Sequence, residues 1–156
     1  IGRPESRQAV FDHVKAGKGL LLVHPALWYN WADWPEYNRQ LVGGGSRSHD
    51  RYGEFEVTVL PDVSSPVSAG LPASFKITDE LYHDVRDDQG IARKVLATGK
   101  SPADGRVFPV AWVSQVGKGR LACITLGHDG QAHSHPAYQR LLQQATSWVA
   151  GRENAQ

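Results

Sequence analysis

Four side chains in this chain have neighbourhoods suited to chemistry: His24, His49, Glu80 and His128. His24 directly follows the apolar run Leu20-Leu21-Leu22-Val23. His128 follows Leu121-Ala122-Cys123-Ile124-Thr125-Leu126, with only Gly127 between. If both runs are parallel strands of an open α/β sheet, both imidazoles emerge at the carboxyl edge, where such sheets bind ligands. Imidazole there can bind a divalent metal, act as general base or orient a substrate hydroxyl; it can equally cap a loop through backbone hydrogen bonds. His49, in Ser46-Arg47-Ser48-His49-Asp50, and Glu80, just past the strand candidate Phe75-Lys76-Ile77, are candidates to join them. A set of two or three histidines with one carboxylate matches zinc and other divalent-metal sites, although ligands this scattered obey no spacing rule. In the metal reading His24, His49 and His128 are ligands, and Glu80 and His128 carry the acid–base work.

Next to His24 the aromatic residues Trp28, Tyr29, Trp31, Trp34 and Tyr37 crowd together. Flat rings with a polar handle suit the C–H faces and hydroxyl rims of sugars, while a hydrophobic lid or a dimer contact explains them equally well. Trp28, Tyr29 and Trp31, with Tyr82 and Asp129 beside Glu80 and His128, are the expected substrate-binding residues. His135 adjoins Pro136 at a helix start, where capping is its expected role; His133 is left open. Cys123 lies within an apolar strand and reads as a buried, inert thiol. Neither Gly43-Gly44-Gly45 nor Gly117-Lys118-Gly119 has the phosphate-loop pattern, so nucleotide binding is discarded.

The elements that must position these groups are legible in outline. Pro4 starts a helix whose apolar face is Val10, Phe11 and Val14, with Gly17 at its end. The short apolar run that follows reads as a central parallel strand covered on both faces. A structured loop occupies residues 25–45, with a short helix from Pro35. Glu54–Val59 alternates as a strand with one wet face. Ser65-Pro66 begins a helical turn, and Lys94–Ala97 is a further strand candidate. Pro109–Val113 and Leu121–Leu126 form a hairpin. Tyr138, Leu141, Leu142, Ala145, Trp148 and Val149 share one face of a final helix, with Pro136 in its first turn and Gly151 past its end. The reading is one α/β domain over residues 1–151 with a polar tail over 152–156. It expects an open, mainly parallel sheet with helices on both faces and an antiparallel insertion.

The chain has 156 residues, 40% of them hydrophobic and 21% charged, which is globular composition and argues against disorder. A formal net charge of +1 supplies no electrostatic footprint for nucleic acid or an anionic membrane. No apolar run approaches the roughly 20 residues needed to span a bilayer. One cysteine excludes an internal disulfide framework. The chain contains no methionine and begins Ile1-Gly2-Arg3-Pro4, so it reads as a fragment, and its compartment stays open between cytoplasmic and periplasmic or secreted. The aromatic segment leaves room for a homo-oligomer.

An ordered series of short motifs resembles the ThuA-like (trehalose utilisation) family. It comprises Gly17–His24, Tyr37–Gly44, His49, Gly70-Leu71-Pro72, Asp79–Tyr82, Pro109–Trp112, Gly117–Arg120 and Leu126-Gly127-His128. The resemblance covers nearly all of residues 5–150. It implies a flavodoxin-like fold related to class I glutamine amidotransferases, a role in sugar catabolism, and a pocket containing His24, His49, Glu80 and His128. It also implies that an N-terminal strand, helix and strand are lacking here. The amidotransferase relationship does not carry its chemistry over, because Val23-His24-Pro25-Ala26 stands where that superfamily has a cysteine on a glycine-flanked elbow. The function these readings lead to is a metal-dependent, hydrolase-type enzyme acting on a small carbohydrate, with zinc as the expected ion. The alternative is a non-catalytic sugar-binding or scaffolding module.

Overall fold

The alternating character of one hairpin organises the molecule. In β8 (Gly119–Ile124), Leu121 and Cys123 enter one core while Ala122 and Ile124 enter another. Successive strand residues point to opposite faces, so a strand apolar throughout Leu121–Ile124 must be covered on both sides. The covers are helical. α1 (Pro4–Lys15) contributes Val14 to the first core, and α4 (Pro136–Val149) contributes Tyr138, Leu141 and Ala145 to the second. The structure, a computed structural model, describes residues 2–29 and 32–152; Trp31 and most of the polar tail lie outside them.

In chain order, α1 is followed by β1 (Leu20–Val23), a 3-10 turn (His24–Leu27), and α2 (Pro35–Tyr37), which continues as a π-helical turn over Asn38–Val42. Then come β2 (Gly44–His49), β3 (Gly53–Val59), β4 (Ser74–Asp79), β5 (Tyr82–Arg86), β6 (Lys94–Lys100), β7 (Val107–Val116), β8, α3 (Gly130–His133) and α4. Among the described residues, six strands form a sheet in the order β1-β8-β7-β6-β3-β4, and β2 pairs with β5 in a separate antiparallel ribbon.

Helices on both faces of an α/β sheet, the first and last helices, and the β7–β8 hairpin match expectation. The mainly parallel sheet does not. Among the described residues β1–β8 is the one parallel pair of this sheet; β8–β7, β7–β6, β6–β3 and β3–β4 are all antiparallel. β1 is also not central, because among the described residues it pairs with β8 alone and ends the sheet. The reason is visible in β3, which buries Phe55 and Val57 and exposes Glu54, Glu56 and Thr58. That single wet face belongs to antiparallel pairing, and with β3, β4 and β6 in the main sheet the antiparallel part is the larger part.

One buried residue ties the layers together. Trp112 on β7 is 1% exposed, and its indole N–H donates to the Val42 carbonyl oxygen at 3.1 Å. Truncating an aromatic side chain so placed costs about 3–5 kcal/mol. Its bond fixes the π-helical turn that leads into β2, and therefore the ribbon bordering the site.

Candidate metal centre

The parallel pair sets the geometry. Residues Val23 and Ile124 are partners at the ends of β1 and β8, so the chain leaves both strands at the same rim. His24 turns there with φ +46°, among the described residues the non-glycine position in left-handed backbone. That conformation costs an ordinary residue about 1–2 kcal/mol. It is held by packing, since His24 is 6% exposed, and by its Nδ1–H, which donates to the Thr125 carbonyl oxygen at 2.7 Å. Val23-His24-Pro25-Ala26, which lacks the cysteine and flanking glycines of the amidotransferase elbow, nevertheless turns sharply here. A sharp strand-to-helical turn is present, and it carries an imidazole instead of a thiol.

Because Nδ1–H of His24 is committed, Nε2 presents its lone pair to the rim. Nε2 lies 3.3 Å from Nδ1 of His128 and 3.6 Å from Oε2 of Glu80, and Nδ1 of His128 lies 3.2 Å from the same Oε2. These three atoms, from segments distant in sequence, form a near-equilateral triangle. A tetrahedral ion with bonds of about 2.0–2.1 Å has ligand–ligand edges of about 3.3–3.4 Å, so the set fits three corners of such a site. The Thr125 carbonyl acts as the outer partner that sets tautomer and ring orientation in metal-binding histidines. His49 approaches the other carboxylate oxygen, with Nε2 3.7 Å from Oε1 of Glu80, while its Nδ1–H donates to the Asp50 carbonyl oxygen at 2.6 Å. All four residues anticipated from the sequence thus converge, three as a triangle and His49 behind Glu80.

Asp79, which sequence reasoning missed, builds the floor. It is fully buried; its Oδ1 accepts from the backbone N–H of Glu80 and of His128, and its Oδ2 accepts from Gly127 N–H. The only signal would have been its place at the end of the β4 candidate, next to Glu80. Tyr52 was missed as well: its ring centroid lies 5.7 Å from that of His128.

The expected substrate-binding residues divide. Trp28 is half-buried, with its ring centroid 6.1 Å from His49 and 5.2 Å from Tyr82. Tyr82 is 3% exposed and is packed against His24 at 4.6 Å, behind the imidazoles. Burial, then the nearby Glu80 and Asp79 carboxylates, push its phenol up to about 12, so it stays neutral. Tyr29 lies under the Arg47 guanidinium, 3.6 Å from its ring centroid. Asp129 is turned to structural work. Its Oδ1 accepts from Gln131 N–H and Ala132 N–H as the N-cap of α3, and its Oδ2 accepts from the Tyr52 hydroxyl at 2.7 Å. The Tyr52 bond, followed by the backbone bonds, holds its carboxyl below the usual range. His135 caps α4 by accepting from Ala137 N–H, as anticipated.

His83, passed over in the sequence, fastens the ribbon. Its Nε2–H donates to Oδ1 of Asp50 at 2.9 Å, its Nδ1 accepts from the Ser48 hydroxyl at 3.1 Å, and its ring stacks on Phe108. A hollow of about 640 Å³ bordered by Lys18, Lys118 and Arg120 opens at the opposite rim of β1 and β8. There His13 and Arg120 are engaged with the Gly19 and Trp148 carbonyls. Chemistry, not concavity, selects the His24 rim.

The comparisons with known proteins agree with this architecture. A ThuA-like protein of Parabacteroides merdae superimposes with a TM-score of 0.84 at 24% identity, covering 98% of this chain and 67% of that one. A ThuA-like protein of Bacteroides uniformis gives 0.80 at 22% identity, covering 99% and 67%. The β-galactosidase of Rahnella sp. R3 gives 0.59 at 15% identity, with 90% of this chain matching 20% of that one. This chain therefore spans about two thirds of the two ThuA-like structures. No curated protein matches the sequence. The family model described as trehalose utilisation matches residues 2–149, and the chain belongs to the ThuA family.

Proposed function

We propose that this chain is a divalent-metal-dependent enzyme of hydrolase type acting on a small carbohydrate, trehalose or a related disaccharide or keto-sugar. The observation that carries the reading is the triangle of His24 Nε2, Glu80 Oε2 and His128 Nδ1, with edges of 3.2–3.6 Å. Two imidazoles and a carboxylate favour zinc and leave a fourth position for water or substrate. The ion, when bound, would polarise a sugar oxygen or lower the pKa of a bound water. The family's description, trehalose utilisation, supports the carbohydrate part.

The chain's own residues have separable roles. His24 is buried and braced, and serves as a rigid ligand. His128 has a 43% exposed side chain and borders solvent, where it can meet substrate. Glu80 offers Oε2 to the triangle and turns Oε1 toward His49, so Oε1 is the atom at which Glu80 can take a proton. Acid–base help of this kind contributes about 10²–10⁴-fold.

The deciding experiment is metal analysis of purified protein reconstituted with zinc, with the His24→Ala and His128→Ala variants alongside. One equivalent in the wild type and its loss in both folded variants is expected. Stoichiometric zinc that survives both substitutions would end the reading.

A second reading, a sugar-binding module without catalysis, is favoured by the partly exposed rings of Trp28 and Tyr52 at the rim. It requires sugar binding that Trp28→Ala abolishes and His24→Ala leaves intact.

A further inference from the structure

A contiguous chain of ring contacts runs around Glu80. Tyr52 touches His128 (centroids 5.7 Å apart), His128 touches His24 (5.3 Å), His24 touches Tyr82 (4.6 Å) and Tyr82 touches Trp28 (5.2 Å). The middle of this arc is spent: His24 and Tyr82 are 6% and 3% exposed and have no free face for a ligand. Tyr52, at the outer end, is 42% exposed, and among the described residues it is the one aromatic ring counted with the exposed large apolar side chains.

An exposed tyrosine on a loop between two strands would normally sample several rotamers. Here both polar contacts of the hydroxyl are fixed. It donates to Asp129 Oδ2 at 2.7 Å and lies 3.2 Å from Oε1 of Gln131. Asp129 cannot swing away, because its Oδ1 caps α3. The ring is thus held beside His128 while 42% of the residue stays open to solvent. Holding a large ring in one pose before a ligand arrives removes part of the ordering cost of binding, and an aromatic face offers C–H groups the dispersion contact that water does not.

We infer that Tyr52 is the specificity-determining platform of this site, stacking on the C–H face of a pyranose ring whose hydroxyls reach the His24–Glu80–His128 group. This rests on the carbohydrate reading above and deepens it. A cyclic saccharide presents a flat apolar face to Tyr52, whereas an open-chain polyol presents none and loses conformational freedom on binding. The site selects rings over chains. Asp129 is a positioning residue that acts through Tyr52.

Isothermal titration of zinc-reconstituted protein with trehalose, methyl glucoside and sorbitol tests this, together with zinc titration of each variant. Tyr52→Ala is expected to weaken trehalose roughly tenfold or more, an effect of stacking size, with zinc affinity within about twofold of wild type. Tyr52→Phe, which keeps the ring and loses the bond to Asp129, should fall between wild type and Tyr52→Ala, weakening trehalose about threefold. Wild type should bind methyl glucoside at least about tenfold more tightly than sorbitol. Saccharide affinity unchanged in Tyr52→Ala, or sorbitol bound as tightly as methyl glucoside, overturns this inference alone. A wild type that binds zinc but no saccharide overturns the carbohydrate reading, and this inference with it.

Discussion

Asp79 accepts a hydrogen bond from the backbone N–H of His128 at 3.2 Å, joining the end of β4 to the loop after β8. The same buried carboxylate takes the N–H of Glu80 at 2.7 Å. One buried side chain therefore fixes where two of the three site residues start. Asparagine in its place keeps one acceptor and turns an N–H2 group toward a backbone donor. Asp79→Asn should cost about 1–3 kcal/mol of stability. It should also weaken zinc about 10–100-fold, the usual range for a lost outer partner. Urea unfolding with a competitive zinc titration below the transition measures both. Wild-type zinc affinity in the folded variant would refute this role.

Asp87 provides a prediction about pH. Its Oδ1 accepts from Gln89 N–H at 2.9 Å and its Oδ2 from Arg39 Nε–H at 3.0 Å. The backbone bond first, then the guanidinium, hold its carboxyl below the usual range. A carboxyl lower in the folded than in the unfolded chain adds stability above the unfolded value, about 3.9. That stability fades as pH falls through the folded value. The urea midpoint of wild type should exceed that of Asp87→Asn at pH 7, and the gap should close toward pH 2–3. A gap that stays constant across this range would contradict the assignment.

Cys123 faces the core behind Trp112 and is fully buried, and burial pushes its thiol well above the ordinary range. Since only thiolate reacts, Ellman's reagent should leave the native protein unlabelled and modify one thiol after denaturation. Cys123→Ser should leave zinc binding unaltered. Rapid labelling of the native protein would contradict the packing.

Gly19 meets the end of α4. A Cβ there would land on the Val149 carbonyl oxygen, an unyielding backbone atom. Gly19→Ala should destabilise by about 1–3 kcal/mol through overpacking, readable as a lower thermal midpoint, with zinc stoichiometry preserved because the site lies at the other rim. A midpoint equal to wild type would show that α4 is not seated as described.

Local patterning made much of this molecule readable. The apolar spacing of α4, the continuous run of β1 and the alternation of β3 each report burial one residue at a time, and such signals survive without knowledge of partners. The placement of His24 and His128 just after two apolar strands was equally visible, and both emerge at one rim as that placement required. The ribbon was not visible. β2 is Gly44-Gly45-Ser46-Arg47-Ser48-His49, with neither apolar alternation nor β-branched residues, so it reads as loop. It is a strand because β5 pairs with it and His83 clamps Ser48 to Asp50.

The residue types set in advance which chemistry was available: imidazoles and a carboxylate, with the one thiol buried out of reach. Whether those groups meet depended on strand pairing. A strand's own pattern says which of its faces is buried and nothing about which neighbour supplies its hydrogen bonds, so the mostly antiparallel sheet followed from long-range contacts. The same holds for Glu80, Asp79 and Tyr52. Each is an ordinary loop or strand-end residue by type, and becomes part of the site because β4 and the segment between β2 and β3 are folded against the loop after β8.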